Sequence, residues 1–71
     1  MKLYWDSVED IAEQLLEDKP ETEPLSVRFT DLLTWVTGLE DFVDDPKDSS
    51  EGRLEAIQMA WFELYKEEHQ V

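Results

Sequence analysis

Cysteine is absent from this 71-residue chain. No disulfide framework, thiolate metal site or cysteine nucleophile can be built from it. Long apolar runs are missing too, since none approaches the roughly 20 residues of a membrane span. The opening MKLYWDS lacks the apolar stretch of a signal peptide, so the expectation is a soluble, cytoplasmic protein. Histidine occurs once, at His69, in a stretch expected to be a tail. Ser7, Ser26, Ser49 and Ser50 have no visible base partner, and a chain this short has little room for the shielded cleft that paired carboxylates need. An enzyme is therefore the least expected class.

Basic residues are scarce. Six Lys and Arg stand against nineteen Asp and Glu, a net charge of -13. Phosphate neutralisation drives nucleic-acid affinity, so this field repels nucleic acid. It also disfavours anionic membranes. Basic protein surfaces and cations are attracted. The plain alternative is that the charge only keeps a small domain in solution. What the chain does have is apolar mass: 41% hydrophobic residues, with three Trp and three Phe. That is enough to build a core rather than remain disordered. A domain of this length buries only about 60% of its unfolded surface, so modest stability is expected.

The pattern reads as mainly α: one small domain, residues 1–71, of about three helices, with no internal repeats. The first helix is expected over Ser7–Lys19. Asp6 or Ser7 would cap it, with Glu9 or Asp10 in capping-box spacing. Val8, Ile11, Ala12, Leu15 and Leu16 form its apolar face, and Pro20 ends it. Pro20 to Pro24 is a connector. Leu25–Phe29 is ambiguous between a helical turn and an extended segment. Thr30 is the expected cap of a second helix with Leu32, Leu33, Val36 and Leu39 as its stripe and Gly38 near its end. The acidic loop Glu40–Asp48 follows, interrupted by Phe42 and Val43, with Asp45-Pro46 as a turn signal. Ser49 or Ser50 caps the last helix, with Glu51 suited to its dipole. Leu54, Ile57, Trp61, Leu64 and Tyr65 line that helix, Met59 and Phe62 widen its face, and residues 66–71 are expected to fray.

Three constellations could carry chemistry. The first is the loop set Glu40, Asp41, Asp44, Asp45 and Asp48. Clustered oxygens suit hard cations. The EF-hand template nevertheless fails: starting at Asp41 it puts Val43 at the third ligand position, starting at Asp44 it puts Pro46 there, and neither register supplies the glycine. Weak cation binding remains, against the alternative of a solvated loop with Phe42 in the core. The second is the outer face of the first helix, with Glu9, Asp10, Glu13, Glu17 and Asp18. Glu9, Glu13 and Glu17 align at i, i+4, and each like-charge pair costs about 0.2–0.5 kcal/mol, relieved by a cation or basic partner. An ordinary solvated face is the alternative. The third is aromatic: Tyr4, Trp5, Phe29, Trp35, Phe42, Trp61 and Phe62, expected mostly in the core. Trp35 lies off the apolar stripe; exposed amid carboxylates, it would be an interface anchor. Arg28, alone in an acidic stretch, is expected to bridge to Asp31 or the loop.

The segments RFTDLLTW (Arg28–Trp35), LEDFVDDP (Leu39–Pro46) and LEAIQMAW (Leu54–Trp61), in that order, resemble the IscX family of small acidic accessory proteins of bacterial iron–sulfur cluster assembly. The similarity begins at Tyr4-Trp5-Asp6 and Ile11-Ala12 and extends through Val27, Thr30, Leu32, Val36, Phe42, Ser49 and Glu51 to Ala60-Trp61. The chain departs from the family's pattern at Leu33, where histidine is common, at Ser50, where asparagine is common, and in a longer tail. Leucine at 33 removes a possible nitrogen ligand. The lack of cysteine already rules out thiolate ligation of a cluster by this chain.

The resemblance implies a winged-helix-like arrangement and a non-catalytic role. Family members bind the cysteine desulfurase of the pathway through acidic surface, in competition with the scaffold protein and the bacterial frataxin. They bind ferrous iron weakly and modulate the desulfurase. Carried onto this sequence, the partner contact would use Asp31, Trp35, Glu40, Asp41, Asp44 and Asp45. Weak iron contact would use Glu9, Asp10, Glu13, Asp44 and Asp45. No tightly bound cofactor and a monomeric state are expected. Charge reversal at Asp44 and Asp45 is expected to abolish partner binding while leaving the fold intact. Two alternatives share the charge: an iron carrier to the scaffold, and an acidic nucleic-acid mimic that binds a basic protein.

Overall fold

A computed structural model describes residues 1–69 of the chain. Three α-helices form: α1 (Val8–Asp18), α2 (Phe29–Thr37) and α3 (Glu51–Glu68). Short 3-10 turns at Pro24–Ser26 and Pro46–Asp48 punctuate the connections. The molecule is mainly α, as the periodicity requires. No strand and no wing hairpin form among the described residues, where the one β pairing is an isolated parallel bridge between Leu3 and Phe42.

The core comes from the expected apolar stripes. Ile11, Ala12 and Leu15 of α1, Leu32 and Val36 of α2, and Leu54, Ile57 and Trp61 of α3 are buried together with Leu3 and Trp5. α1 packs most extensively on α3. The two helices run parallel: Asp6, just before α1, meets Arg53 in the first turn of α3 at 3.4 Å, and Pro20, just after α1, meets His69 at the end of α3 at 2.9 Å. Met59 and Tyr4 were expected on the apolar side, but both are exposed. Trp61 Nε1 is buried without a hydrogen-bond partner among the described residues.

The caps show where local reading succeeds and where it does not. Ser50 caps α3, its Oγ accepting the Arg53 backbone N–H at 3.1 Å. Ser50→Ala should therefore cost about 0.5–2 kcal/mol, readable as a lower urea midpoint with an unchanged slope. Ser7 occupies the cap position of α1 but makes no cap bond. Its Oγ instead accepts the Tyr4 N–H at 3.2 Å, and the expected capping box does not form. Thr30 does not cap α2. The extended backbone of Val27 and Arg28 enters the helix two residues earlier, Arg28 takes the cap position, and its carbonyl accepts the Leu32 N–H at 2.9 Å. Arg28 itself is exposed and makes none of the ion pairs among the described residues, correcting the expected bridge to Asp31 or the loop. Gly38 ends α2 in right-handed backbone, where an added Cβ would press within 3.0 Å of the Thr34 carbonyl.

The ambiguous Leu25–Phe29 segment resolves into both options, a 3-10 turn followed by extended residues. Gln58 of α3 pins it, its Nε2 donating to Pro24 O at 2.9 Å and Val27 O at 3.3 Å. Past Tyr65 the helix continues through Lys66 and Glu68, where fraying was expected. One reason is local and one tertiary: the His69 ring lies 4.1 Å from the Tyr65 ring one turn earlier, and its Nε2 contacts the Pro20 carbonyl at 2.9 Å. The last two residues of the expected tail, Gln70 and Val71, lie outside the described residues. Among the described residues no helix is long and apolar enough to cross a membrane.

Candidate functional site: the acidic loop and its clasp

The acidic loop after α2 is not a free excursion. The N-terminal segment threads beside it and fixes it from the backbone outward. Leu3 N donates to Asp41 O at 2.8 Å and Val43 N donates to Leu3 O at 3.0 Å. Trp5 N donates to Asp44 Oδ2 at 3.0 Å, and Trp5 Nε1 donates to Asp45 O at 2.8 Å. The Trp5 ring is buried and meets Phe42 edge-on, centroids 5.0 Å apart at 74°. Phe42 thus anchors the loop to the core while Glu40, Asp41 and Asp45 around it are exposed.

Two of the expected contact residues have structural duties. Asp44 is half-buried, and both its oxygens accept backbone N–H groups, Oδ2 from Trp5 and Oδ1 from Asp45 at 2.8 Å. The Asp45 side chain is exposed and caps the Pro46–Asp48 turn, Oδ1 accepting Lys47 N at 2.9 Å. Charge reversal of this pair should therefore cost stability as well as partner binding, where the sequence alone led to the expectation of an intact fold. A lysine at 44 would leave two backbone donors unpaired in the clasp.

The remaining candidates divide by place. Glu40 and Asp41 are exposed at the start of the loop, with Asp41 Oδ2 4.0 Å from the N-terminal amine. Asp31 is exposed in the first turn of α2, at the opposite end of that helix from the loop. Trp35 is half-buried. It packs edge-on against Trp61, centroids 6.3 Å apart at 75°, while Lys19 Nζ sits 4.5 Å over its ring. On α1, Glu9, Asp10 and Glu13 are exposed. No group of three or more metal-ligating side chains converges among the described residues. Both Asp44 oxygens are already engaged by backbone N–H groups.

The Asp44 carboxyl is held below the ordinary aspartate value of 3.8, first by the Trp5 N–H, then by the Asp45 N–H, with Arg53 adding and partial desolvation opposing. A folded-state pKa below the unfolded one means the stabilisation is complete above the unfolded value and is lost as pH falls through the folded one. Asp44→Asn should lower the urea midpoint at neutral pH. The gap to the parent should stay constant above about pH 5 and close as pH falls below the ordinary carboxylate range. The comparison with the variant isolates Asp44, because every other ionisable group is the same in the two chains.

The clasp was missed in the sequence because it joins residues 39 and 40 positions apart. Tyr4-Trp5-Asp6 and Asp44-Asp45-Pro46 both stood out as words, but no local spacing links them.

A family model described as iron–sulphur cluster assembly matches residues 3–66, from Leu3 of the clasp to Lys66 near the end of α3. An uncharacterised protein of Pseudomonas aeruginosa is 54% identical over 63 residues, covering 89% of this chain and 96% of that protein. The chain belongs to the iron–sulphur cluster assembly family of the IscX type.

Proposed function

We propose that this chain is an accessory adaptor or regulator of iron–sulfur cluster assembly that docks on the cysteine desulfurase of the pathway through acidic surface and modulates its output. Family membership places it in the assembly of iron–sulfur clusters. The observation that supports the finer reading is the loop itself: exposed Glu40, Asp41 and Asp45 are displayed on a backbone that the Trp5 clasp holds in one shape. A pre-shaped carboxylate surface on a chain of net charge -13 is steered to a basic patch and loses little conformational freedom on docking. Exposed Asp31 and half-buried Trp35 extend the proposed contact along α2.

The mechanism in this reading is occupancy. The chain covers a site on the desulfurase that the scaffold protein and the bacterial frataxin also use, and it needs no catalytic group. Ferrous iron enters as a weakly held cation at exposed carboxylates (Glu9, Asp10 and Glu13 on α1, Asp45 in the loop) rather than as a resident ion. The iron-carrier alternative requires a convergent ligand set, which the described residues do not form. The nucleic-acid mimic shares only the charge. A competition experiment tests the proposal: added scaffold protein or frataxin should displace the chain from the desulfurase. A stable ternary complex at saturating concentrations of both would contradict it.

A further inference from the structure

A second acidic feature lies away from the loop. Along the seam between α1 and α3 runs a groove of about 330 Å³, bordered by Glu9 and Glu13 on one side and by Glu63 and Glu67 on the other, with Ala60 and Leu64 as its floor. No residue of the acidic loop or of α2 lines it. Leu15 and Asp18 of α1, with Lys19 just after it, lie instead beside Thr34 and Trp35 of α2, so the groove occupies the flank of the seam that α2 leaves open.

Three properties of the groove identify its occupant. First, the floor is apolar and half-buried, and Met59, one turn before Glu63, is 44% exposed beside that stretch of α3. Apolar side chains of a ligand can therefore be covered there. Second, the rim is two parallel lines of like charge. Glu9–Glu13 and Glu63–Glu67 are each i, i+4 pairs, and each pair is mildly self-repelling until a cation approaches. Lys66 reaches Glu63 at 3.2 Å, an exposed pair of little weight. Third, the four carboxylates stand around the rim without converging, since no three metal-ligating groups come together among the described residues. That spacing suits several separated cations on one scaffold rather than a single ion.

We infer that the α1–α3 groove is a docking site for a basic amphipathic helix of a partner protein, its apolar stripe on Ala60 and Leu64 and its Lys or Arg side chains on the two glutamate lines. A groove between parallel helices accepts the ridge of a third, and helix-in-groove recognition reads anchors at i, i+3, i+4 and i+7. A second copy of this chain is disfavoured as occupant by charge, because each copy carries -13. The site is separate from the loop surface, so one chain could hold the desulfurase and a basic segment at the same time.

The test uses a synthetic lysine–leucine amphipathic peptide of about four helical turns, titrated into the isotopically labelled full chain and read by amide chemical shifts. A scrambled peptide of the same composition is the control. The expected result is shifts confined to Glu9, Glu13, Ala60, Leu64 and Glu67, at least about tenfold weaker binding of the scrambled peptide, and a similar loss in the Glu13→Lys/Glu67→Lys variant. These positions are exposed helix surface, so the variant should keep its helical signal; if it does not, Glu13→Gln/Glu67→Gln and the scrambled peptide carry the same comparison. Equal binding of both peptides, or shifts spread over the loop carboxylates, would overturn the inference in favour of unspecific charge attraction. Shifts at the same glutamates with micromolar divalent cation, and none with peptide, would overturn it in favour of a cation site.

Discussion

Trp5→Ala should bring the chain close to unfolding, with a loss of about 3–5 kcal/mol, the range for removing a buried aromatic. The domain has little to spare, since stability near 0.05–0.15 kcal/mol per residue gives a chain of this length only about 4–11 kcal/mol. Several interactions end together at this side chain. The ring is buried against Phe42, the indole N–H holds the Asp45 carbonyl, and the neighbouring backbone N–H holds Asp44. Trp5→Phe keeps most of the packing and gives up the indole bond, so it should cost far less. Urea unfolding followed by circular dichroism separates the two. A loss below about 1 kcal/mol for alanine would show that the clasp does not hold the loop.

Charge reversal at the exposed start of the loop should act in the opposite way. Glu40→Lys/Asp41→Lys should weaken binding to the desulfurase at least about tenfold at low salt while leaving the urea midpoint within about 0.5 kcal/mol of the parent. Neither side chain accepts a hydrogen bond in the clasp; Asp41 contributes its backbone carbonyl, which the substitution keeps. The same reversal at Asp44 and Asp45 should also reduce binding, but with a lower midpoint, because those carboxylates hold the Trp5, Asp45 and Lys47 N–H groups. Measuring both pairs for stability and affinity distinguishes contact from scaffolding. Unchanged affinity in the Glu40/Asp41 variant would remove the loop from the contact surface.

The legible and illegible parts of this molecule divide along the range of the forces involved. Helix faces follow from period alone, and Ile11, Leu15, Leu32, Val36, Leu54, Ile57 and Trp61 are buried where the stripes put them. Ser50 reads correctly as a cap because its partner is three residues away. Ser7 and Thr30 misread because other groups took the positions: Tyr4 N–H claims the Ser7 hydroxyl, and extended backbone at Arg28 starts α2 early. The end of α3 was hidden for a similar reason, since His69 meets the Pro20 carbonyl only once α1 and α3 lie side by side.

The candidate site was visible as composition but not as geometry. The carboxylates of Glu40–Asp48 stand out in the sequence, yet only the fold shows that the Asp44 and Asp45 side chains are fastened to backbone N–H groups while Glu40 and Asp41 are exposed. Likewise the Glu9–Glu13 spacing is plain along α1, but its pairing with Glu63 and Glu67 depends on the parallel packing of two helices some fifty residues apart in sequence.

The most direct measurement is a calorimetric titration of the chain into the cysteine desulfurase of the same organism, at low and at high salt. Proposed docking through carboxylates on a chain of net charge -13 predicts clear binding at low salt that weakens steeply as the Debye length falls from about 30 Å at 0.01 M to about 10 Å at 0.1 M. Absence of binding at low salt, with and without ferrous iron, would contradict the account.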